Sequence, residues 1–274
     1  MIYFELILLA LLEVAESWGC KAHQQSFDLA ESLLPPSSIE EVKTILSESA
    51  IVNSHLIHLN SVRQSVCLPD VIKRKRKYRY TAPWHYYDIP YNYTHRTIPA
   101  SLFDLSVENI YSAIENELYT LRTTDSLQEK GDALLFLLHF LSDMMQPMHV
   151  TQLVTDEYPN GDSGGLRYSL VGVSRFKNLH MLTDNPMIQN QTVEDLHYLC
   201  MQRDWYRLEP WNDDIVSLIL ESHQRGEVIY DILRNTHHPS IQQIHTIQLI
   251  LSEALCRTAS VLASFMQSFS PSLD

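Results

Sequence analysis

The sequence predicts an all-α protein: a single compact domain of many helices, with long loops and at most a short hairpin. Only 7 of its 274 residues are glycine, and the commonest apolar spacing is i, i+3, i+4, which is typical of amphipathic helices. Apolar residues make up 45% of the chain, enough for a sizeable core. Because no repeat or linker interrupts the pattern, we expect one domain over residues 18–274, preceded by a signal peptide over residues 1–17.

The first residues are typical of a secretory signal peptide. The apolar stretch Leu6–Leu12 is too short to span a bilayer, and Ala15 and Ser17 fit the small-residue positions before a cleavage site. Glu5, and the lack of Lys or Arg before the apolar stretch, are unusual for such a leader. We expect cleavage after Ser17 and a secreted or lumenal protein, with no other segment long and apolar enough for a membrane span.

Cysteine and glycosylation motifs agree with an oxidising compartment. Four cysteines allow three full pairings, and none of their spacings is typical of a zinc finger. The sequence does not select one pairing among Cys20, Cys67, Cys200 and Cys256. Two glycosylation triplets begin at Asn92 and Asn190.

Periodic segments and prolines place the helices in order. The first helix, about 20–34, must end at Pro35-Pro36, and Ser37-Ser38 then cap the second. Four prolines make residues 67–104 a long irregular connection, and residues 155–175 indicate a short hairpin or loop. The further helices are expected near 37–46, 50–66, 106–121, 126–145, 193–203, 211–234 and 239–268.

The formal net charge of −13 argues against a nucleic-acid binder that works through its overall field. A polyanionic substrate would need local positive charge. Metal ions or the basic run at residues 73–77 could supply it, although such a run is more commonly a solvated loop.

Three polar side chains stand in the otherwise apolar stretch at residues 134–150. His139 and Asp143 are four residues apart and therefore share one helix face, while Pro147 ends the helix and lets His149 turn back towards them. Burying an ionisable group without a partner costs several kcal/mol. Imidazole plus carboxylate is a zinc-type ligand set; the alternative is a hydrogen-bonded His–Asp pair in the core.

Three other elements offer similar ligands. His180 and Asp184 repeat the i, i+4 spacing. A freed Trp18 would chelate through its amine and carbonyl oxygen, with His23 about a turn and a half of helix further on. His85 lies in an aromatic-rich loop. Taken singly, these are equally compatible with surface or packing roles.

The four elements follow one order: Trp-Gly-x-x-x-His, Pro-x-His-Tyr-x-Asp, His-x3-Asp-x5-His and Asn-Leu-His-x3-Asp. The chain thus resembles the secreted class I nucleases and 3′-nucleotidases of the three-zinc S-one/P-one type, which are related to bacterial zinc-dependent phospholipases C. The resemblance covers the motifs from Trp18 to Asp184. It implies up to three zinc ions in a cleft between helices, with these ligand sets: His85, His139 and Asp143; Trp18, His23 and the bridging Asp143; His149, His180 and Asp184. Asn60 stands at a further zinc-ligand position of the family.

The resemblance also implies the chemistry. Family members cleave the P–O3′ bond of single-stranded DNA and RNA and remove 3′-phosphates, through a zinc-bridged hydroxide. Arg63 and Asn60 would join Asp143 in the catalytic set, Arg63 on the phosphate. Tyr86 would stack on a base, and Asp88 would bind the base edge. We expect a monomer whose only partner is a single-stranded nucleic acid or a 3′-nucleotide.

Three departures from the family pattern limit the inference. The family motif Trp-Ala-Asp-Glu-x-Arg aligns with residues 58–63, so an uncharged Asn60 replaces a zinc-binding Asp; if that alignment is shifted, His55 or His58 would take part instead. Leu166 and Thr183 replace a family Asn and Trp. The alternatives are therefore a catalytically impaired metal-binding homologue, a phospholipase C of the same fold, and an all-α secreted domain with no metal.

Overall fold

The computed structural model describes residues 19–55, 62–94, 103–173, 175–185, 192–234 and 236–269. Within these residues the protein is all-α, with ten α-helices and a two-stranded sheet, as predicted. The helices are α1 Cys20–Ser32, α2 Pro36–Ser47, α3 Ala50–Ser54, α4 Leu68–Ile72, α5 Ile110–Thr123, α6 Leu127–Asp143, α7 Leu179–Thr183, α8 Val193–Gln202, α9 Ile215–Leu233 and α10 Ile241–Gln267.

Helix α6 is the centre of the fold. Ser126 caps its first turn by accepting a hydrogen bond from the Glu129 amide, and from Ala133 onwards the helix is buried all round. Helices α2, α3, α5 and α10 pack against it. A helix apolar on every face must be enclosed in this way. His139 and Asp143 are thus held in the core of the molecule.

Helix α10 closes the other side of the core, against α1 and α9. A capping box between Ser240 and Gln243 begins it. Contrary to the expectation from sequence, this helix is long and apolar enough to cross a membrane by length and composition alone. However, 83% of its most apolar window is buried inside the protein. Its apolar surface is therefore already covered by the fold.

Residues 67–94 are more regular than predicted. Helix α4 carries its proline in the first turn, where a missing amide hydrogen costs nothing. A 3-10 helix, Arg76–His85, follows and includes Pro83. The tighter 3-10 winding has a three-residue period, so the 3.6-residue apolar periodicity used to find helices did not reveal it.

Residues 155–175, expected to form a short hairpin or loop, are a loop in their described part. The short strands β1 (Pro90–Tyr91) and β2 (Gln152–Leu153) pair in parallel, and a single antiparallel bridge joins Ser169 to Asn178. A parallel pair needs a long crossover, here the two central helices. This pairing fixes the segment after His85 against the segment after His149.

All four cysteines form disulfides, in a pairing that the sequence left open. Cys20 pairs with Cys67 and Cys200 with Cys256, at Cα–Cα distances of 5.4 and 5.8 Å. The first disulfide ties the start of α1 to the start of α4.

Candidate metal centre

A single carboxylate, Asp143, stands at the centre of the site. It ends helix α6 and is completely buried. Four imidazoles converge on it: His85 Nδ1 at 2.8 Å, His139 Nε2 at 3.0 Å, His149 Nδ1 at 3.2 Å and His23 Nε2 at 3.3 Å. The structure thus brings together, on one acidic side chain, histidines from four separate segments.

The first group of candidate ligands is Asp70, His85, His139 and Asp143. Their ligand atoms all lie within 4.8 Å of one another, and all four residues are buried. Asp70 Oδ1 lies 3.4 Å from His85 Nδ1 and 3.6 Å from His139 Nε2. Two imidazoles and two carboxylates form a set that suits a tetrahedral zinc ion.

The orientation of His139 favours a cation at this position. Its Nδ1 lies 2.7 Å from the carbonyl oxygen of Val66, which only accepts hydrogen bonds, so Nδ1 carries the hydrogen. In the neutral ring, Nε2 then presents a lone pair towards Asp70 and Asp143. A lone pair facing two carboxylates is repulsive unless a metal ion lies between them or, without metal, the ring takes up a second proton, which the nearby carboxylates favour by raising the pKa of His139. The contact with the Val66 carbonyl oxygen is the usual way to orient a metal-binding histidine.

The second group is His149, His180 and Asp184. Asn178 caps α7 and so places His180 in its first turn. The rings of His149 and His180 stack at 5.3 Å, and His180 Nε2 lies 3.4 Å from Asp184 Oδ2. His180 Nδ1 donates to the carbonyl oxygen of Gly164 at 2.8 Å, so its Nε2 is also left as an acceptor.

Two glycines bring the loop at residues 161–165 close enough for that contact. Gly164 has φ +59°, and a Cβ atom there would lie 2.3 Å from the carbonyl oxygen of Met148. Gly165 has φ +84°. Residues that carry a side chain rarely adopt a positive φ angle, and a side chain would not fit in this space. Both positions therefore require glycine.

His23 belongs to the same centre. Its ring stacks on that of His139 at 4.2 Å, and its Nδ1 lies 3.0 Å from the hydroxyl of Ser142. The amide of Gly19 donates to the carbonyl oxygen of Asp184 at 3.2 Å. The residue that follows Trp18 therefore touches the second ligand group, while Trp18 itself lies outside the described residues.

Charge is strongly coupled at the centre. Burial alone would lower the histidine pKa values, but the charge of Asp143 outweighs it and raises the pKa of His139 to about 10 and that of His149 to about 9. For His85 burial prevails, and its pKa falls to about 4. The carboxyl pKa of Asp143 lies well below its usual range: burial opposes this, but the charges of His139 and His149 outweigh it. The buried carboxylates thus require positive charge beside them.

Several buried ligand atoms form no hydrogen bond, which is how atoms aimed at a common ion behave. Among the described residues they include Asp143 Oδ1, His149 Nδ1 and Asp184 Oδ2. Asp143 Oδ1 and His149 Nδ1 are only 3.2 Å apart yet do not satisfy hydrogen-bond geometry. Unsatisfied buried polar atoms are costly, so the donor set fits bound metal ions.

The ligand groups open into a cleft of about 430 Å³. Tyr86, predicted to stack on a base, lines it and is 45% exposed. Asp88 also lines it; burial and the nearby charge of Asp162 raise its carboxyl pKa. Leu166, which replaces a family Asn, forms part of the same wall.

Of the predicted catalytic residues, Arg63 does not line this cleft. It lies 3.4 Å from both Asp28 Oδ2 and Gln24 Oε1 and is half-exposed. Asn60 lies outside the described residues, as does the glycosylation triplet at Asn190.

The structure instead places at the cleft a carboxylate that the sequence analysis missed, Asp70, and a cation from the basic run at residues 73–77, Lys73. Lys73 lines the cleft, and its Nζ lies 2.6 Å from Asp70 Oδ1. The family motif places its cation three residues after its Asp, and Asp70 and Lys73 keep that spacing ten residues beyond Asn60 and Arg63. This spacing was the available signal.

Comparison with known proteins agrees with this geometry. The chain is 31% identical to Endonuclease 4 of Arabidopsis thaliana over 203 residues, which are 68% of this chain and 60% of that protein. It is 26% identical to Endonuclease 1 and 27% identical to Endonuclease 3 of the same plant, over 77% of this chain in each case and 69% and 70% of theirs. The sequence profile described as S1/P1 Nuclease matches residues 18–246, so the chain belongs to the S1/P1 nuclease family.

Proposed function

We propose that this protein is a zinc-dependent nuclease that hydrolyses the P–O3′ bond of single-stranded DNA or RNA and removes 3′-phosphates from nucleotides. The observation that carries the proposal is the convergence of four buried histidines on Asp143, with unsatisfied ligand atoms beside a cleft. Membership of the family and the printed names of the Arabidopsis relatives support the same activity. We further propose secretion, after cleavage of residues 1–17.

Up to three zinc ions would be held by distinct residue sets. We assign the first to Asp70, His85, His139 and Asp143, and the third to His149, His180 and Asp184. The second would use His23, Asp143 and the freed amine and carbonyl of Trp18. Zinc bound here would supply Lewis acidity, which lowers the pKa of a water and neutralises charge on phosphate oxygens.

Residues of the cleft would hold the substrate. Lys73, rather than Arg63, is placed to meet a phosphate oxygen, as a point charge rather than a planar fork. Tyr86 offers a stacking surface that any unpaired base can use, and the Asp88 carboxylate can accept hydrogen bonds from a base edge. The carbonyl oxygens of Val66 and Gly164 accept hydrogen bonds from Nδ1 of His139 and His180, and the Ser142 hydroxyl is hydrogen-bonded to Nδ1 of His23. These contacts orient the three rings so that each Nε2 would face the ions.

The impaired-homologue alternative rested on the uncharged Asn60. Asp70 is a candidate carboxylate ligand in the same cluster, which supports a charged ligand set and full activity. No described residue favours a phospholipid headgroup over a nucleotide.

The test uses the purified protein beginning at Trp18. We expect hydrolysis of single-stranded DNA and of a 3′-mononucleotide, loss of both activities in a chelator, and recovery with added zinc. Phosphatidylcholine should not be hydrolysed. Hydrolysis of the phospholipid alone would favour the phospholipase alternative, and full nuclease activity in metal-free protein would overturn the proposal.

A further inference from the structure

A strongly basic segment, residues 73–79, leads directly into the cleft. Six of its seven residues are Lys or Arg, out of 20 in the whole chain, and no acidic residue occurs between Asp70 and Asp88. The rest of the chain is strongly acidic, so this concentration of charge is local. The proposed hydrolysis of 3′-nucleotides needs only the cleft and Lys73, and it leaves residues 74–79 without a role.

The segment is largely exposed, and Lys73 is paired with Asp70 at its start. Arg76, Lys77 and Arg79 are exposed, and among the described residues no carboxylate forms an ion pair with any of them. Surface cations in an acidic protein usually find acidic neighbours. Because Arg76, Lys77 and Arg79 form no such ion pair with the described carboxylates, their positive charge is available to a polyanion.

The 3-10 helix Arg76–His85 directs these charges. Residues three apart lie along the same side of such a helix. Tyr78, Thr81 and Trp84 form the inward side: Thr81 is fully buried, and both aromatic residues pack against the core. The pattern of burial therefore has the three-residue period that this winding requires.

One of the remaining sides runs into the site. Ala82 and His85 line the cleft, and Arg79 and Arg76 continue the same row outwards. At about 2.0 Å rise per residue, they lie about 12 and 18 Å from His85 along the helix axis. Tyr80, 56% exposed, stands beside the row and offers a second aromatic surface. Cations interleaved with aromatic side chains along a groove are typical of single-strand binding.

We propose that Arg76 and Arg79 form a phosphate-binding track, which extends the cleft and holds the sugar–phosphate backbone of a single-stranded polynucleotide beyond the nucleotide being cleaved. This inference rests on the proposed function. It adds that the protein distinguishes polynucleotides from mononucleotides through this track. Arginine suits the role because its planar fork can donate two hydrogen bonds to one phosphate.

The test compares R76Q/R79Q with K75Q/K77Q. Both variants lose two charges from the same segment, but Lys75 and Lys77 lie off the row. We would measure binding of a fluorescent 12-nucleotide thymidine strand by anisotropy, with and without zinc, over a range of salt concentrations. Hydrolysis of a long single strand and of a 3′-mononucleotide would be measured in parallel.

We expect R76Q/R79Q to bind the strand about tenfold more weakly at low salt than K75Q/K77Q does. The negative slope of log affinity against log salt concentration should be shallower by about 1.4 for R76Q/R79Q, since each contacted phosphate of a single strand contributes about 0.7. Hydrolysis of the mononucleotide should be unchanged. All four substituted residues are exposed, so thermal melting should show that both variants are folded.

Equal affinities and slopes for the two variants would overturn the track, as would a wild-type protein that binds the strand no better than a mononucleotide. The proposal would also be overturned if R76Q/R79Q lost binding to vesicles containing phosphatidylserine but still bound the strand as tightly as K75Q/K77Q. That result would assign the segment to membranes. If the strand is bound through Arg76 and Arg79 but never cleaved, the track stands and the proposed function fails.

Discussion

Asp70 is the residue whose placement most changes the interpretation of the site. It is buried, and its carboxylate lies close enough to His85 and His139 to share a metal ion with them. Burial alone would raise its carboxyl pKa, but the charges of His139 and Lys73 outweigh burial and hold the pKa well below the usual range. A carboxylate offers a metal ion both charge and a lone pair, whereas the amide of Asn60 would bring no charge.

Asp70→Asn should therefore weaken zinc binding, because it removes the charge with almost no change in shape. We expect a loss beyond the roughly 10–100-fold typical of changes outside the ligand set, measured by titration against a chromophoric zinc chelator. Asn60→Asp is the matched comparison and should change little. Full zinc affinity in Asp70→Asn, together with a gain in Asn60→Asp, would return the ligand role to residue 60.

The candidate ligand histidines stand out in the sequence, whereas Asp70 is marked only by its three-residue spacing to Lys73, for a physical reason. His139 and Asp143 interrupt a long apolar helix, where the energetic cost of burial makes polar residues conspicuous. Asp70 lies in a five-residue helix between a disulfide and a basic run, where no periodicity shows which side chains are buried. Only the tertiary fold brings it to His85 and His139.

At the scale of elements, the long helices were predicted because their apolar faces repeat locally. The 3-10 helix was missed because its period differs, and the parallel β1–β2 pair was missed because its partners lie about sixty residues apart. Disulfide pairing is likewise a property of the fold and not of spacing. Elements that depend on distant partners are the ones that the sequence leaves open.

The Cys20–Cys67 disulfide links two ligand-bearing segments. Cys20 lies three residues before His23, and Cys67 lies between Val66, whose carbonyl oxygen orients His139, and Asp70. The other disulfide, Cys200–Cys256, joins α8 to α10 and bears no candidate ligand. The two close loops of similar length, with sequence separations of 47 and 56 residues.

Replacing each pair by serine should thus cost similar stability, about 4 kcal/mol from loop entropy. Only C20S/C67S should also lose zinc, because its ligand segments are no longer held together. Zinc content would be measured at a temperature at which circular dichroism shows both variants folded. Equal zinc retention in the two variants would contradict a role for the first disulfide at the metal centre.

Helix α5 carries a carboxyl group with a strongly shifted pKa. Burial, and then the charge of Asp132, raise the pKa of Glu117 to about 7 from a model-peptide value of 4.5. Between these two values the folded protein binds more protons than the unfolded chain, so the free energy of unfolding falls as the pH rises. At pH 8 the partly buried carboxyl group of Glu117 is mostly ionised.

Glu117→Gln should accordingly be more stable than the wild type at pH 8, by roughly 1–3 kcal/mol, and equal to it near pH 4.5. Glu108→Gln, at an exposed position, is the control and should show no such pH dependence. Thermal or urea unfolding at the two pH values measures the difference. A stability gain that does not vary with pH would mean that Glu117 is not titrating in this range.

For the whole molecule, the proposed cleavage after Ser17 would connect the N-terminal segment to the candidate metal centre. Gly19 is hydrogen-bonded to the end of α7 at Asp184, and His23 contacts Asp143. In a chain that begins at Trp18, the free amine would therefore start one residue away from both ligand groups. In an unprocessed chain, the same nitrogen belongs to a peptide bond and is a poor ligand. Activity would thus arise only after the leader has been removed.

A protein extended by one methionine before Trp18 should bind one zinc ion fewer than the protein beginning at Trp18, with reduced hydrolysis of single-stranded DNA. Metal stoichiometry by native mass spectrometry measures this directly, and thermal melting shows whether the fold is retained. Removal of the extra methionine with an aminopeptidase should restore both the ion and the activity, which separates the effect of the blocked amine from damage during preparation. If the extended protein carries the same number of zinc ions and is equally active, the terminal amine is not a ligand, and the second zinc must be held by His23 and Asp143 with other partners.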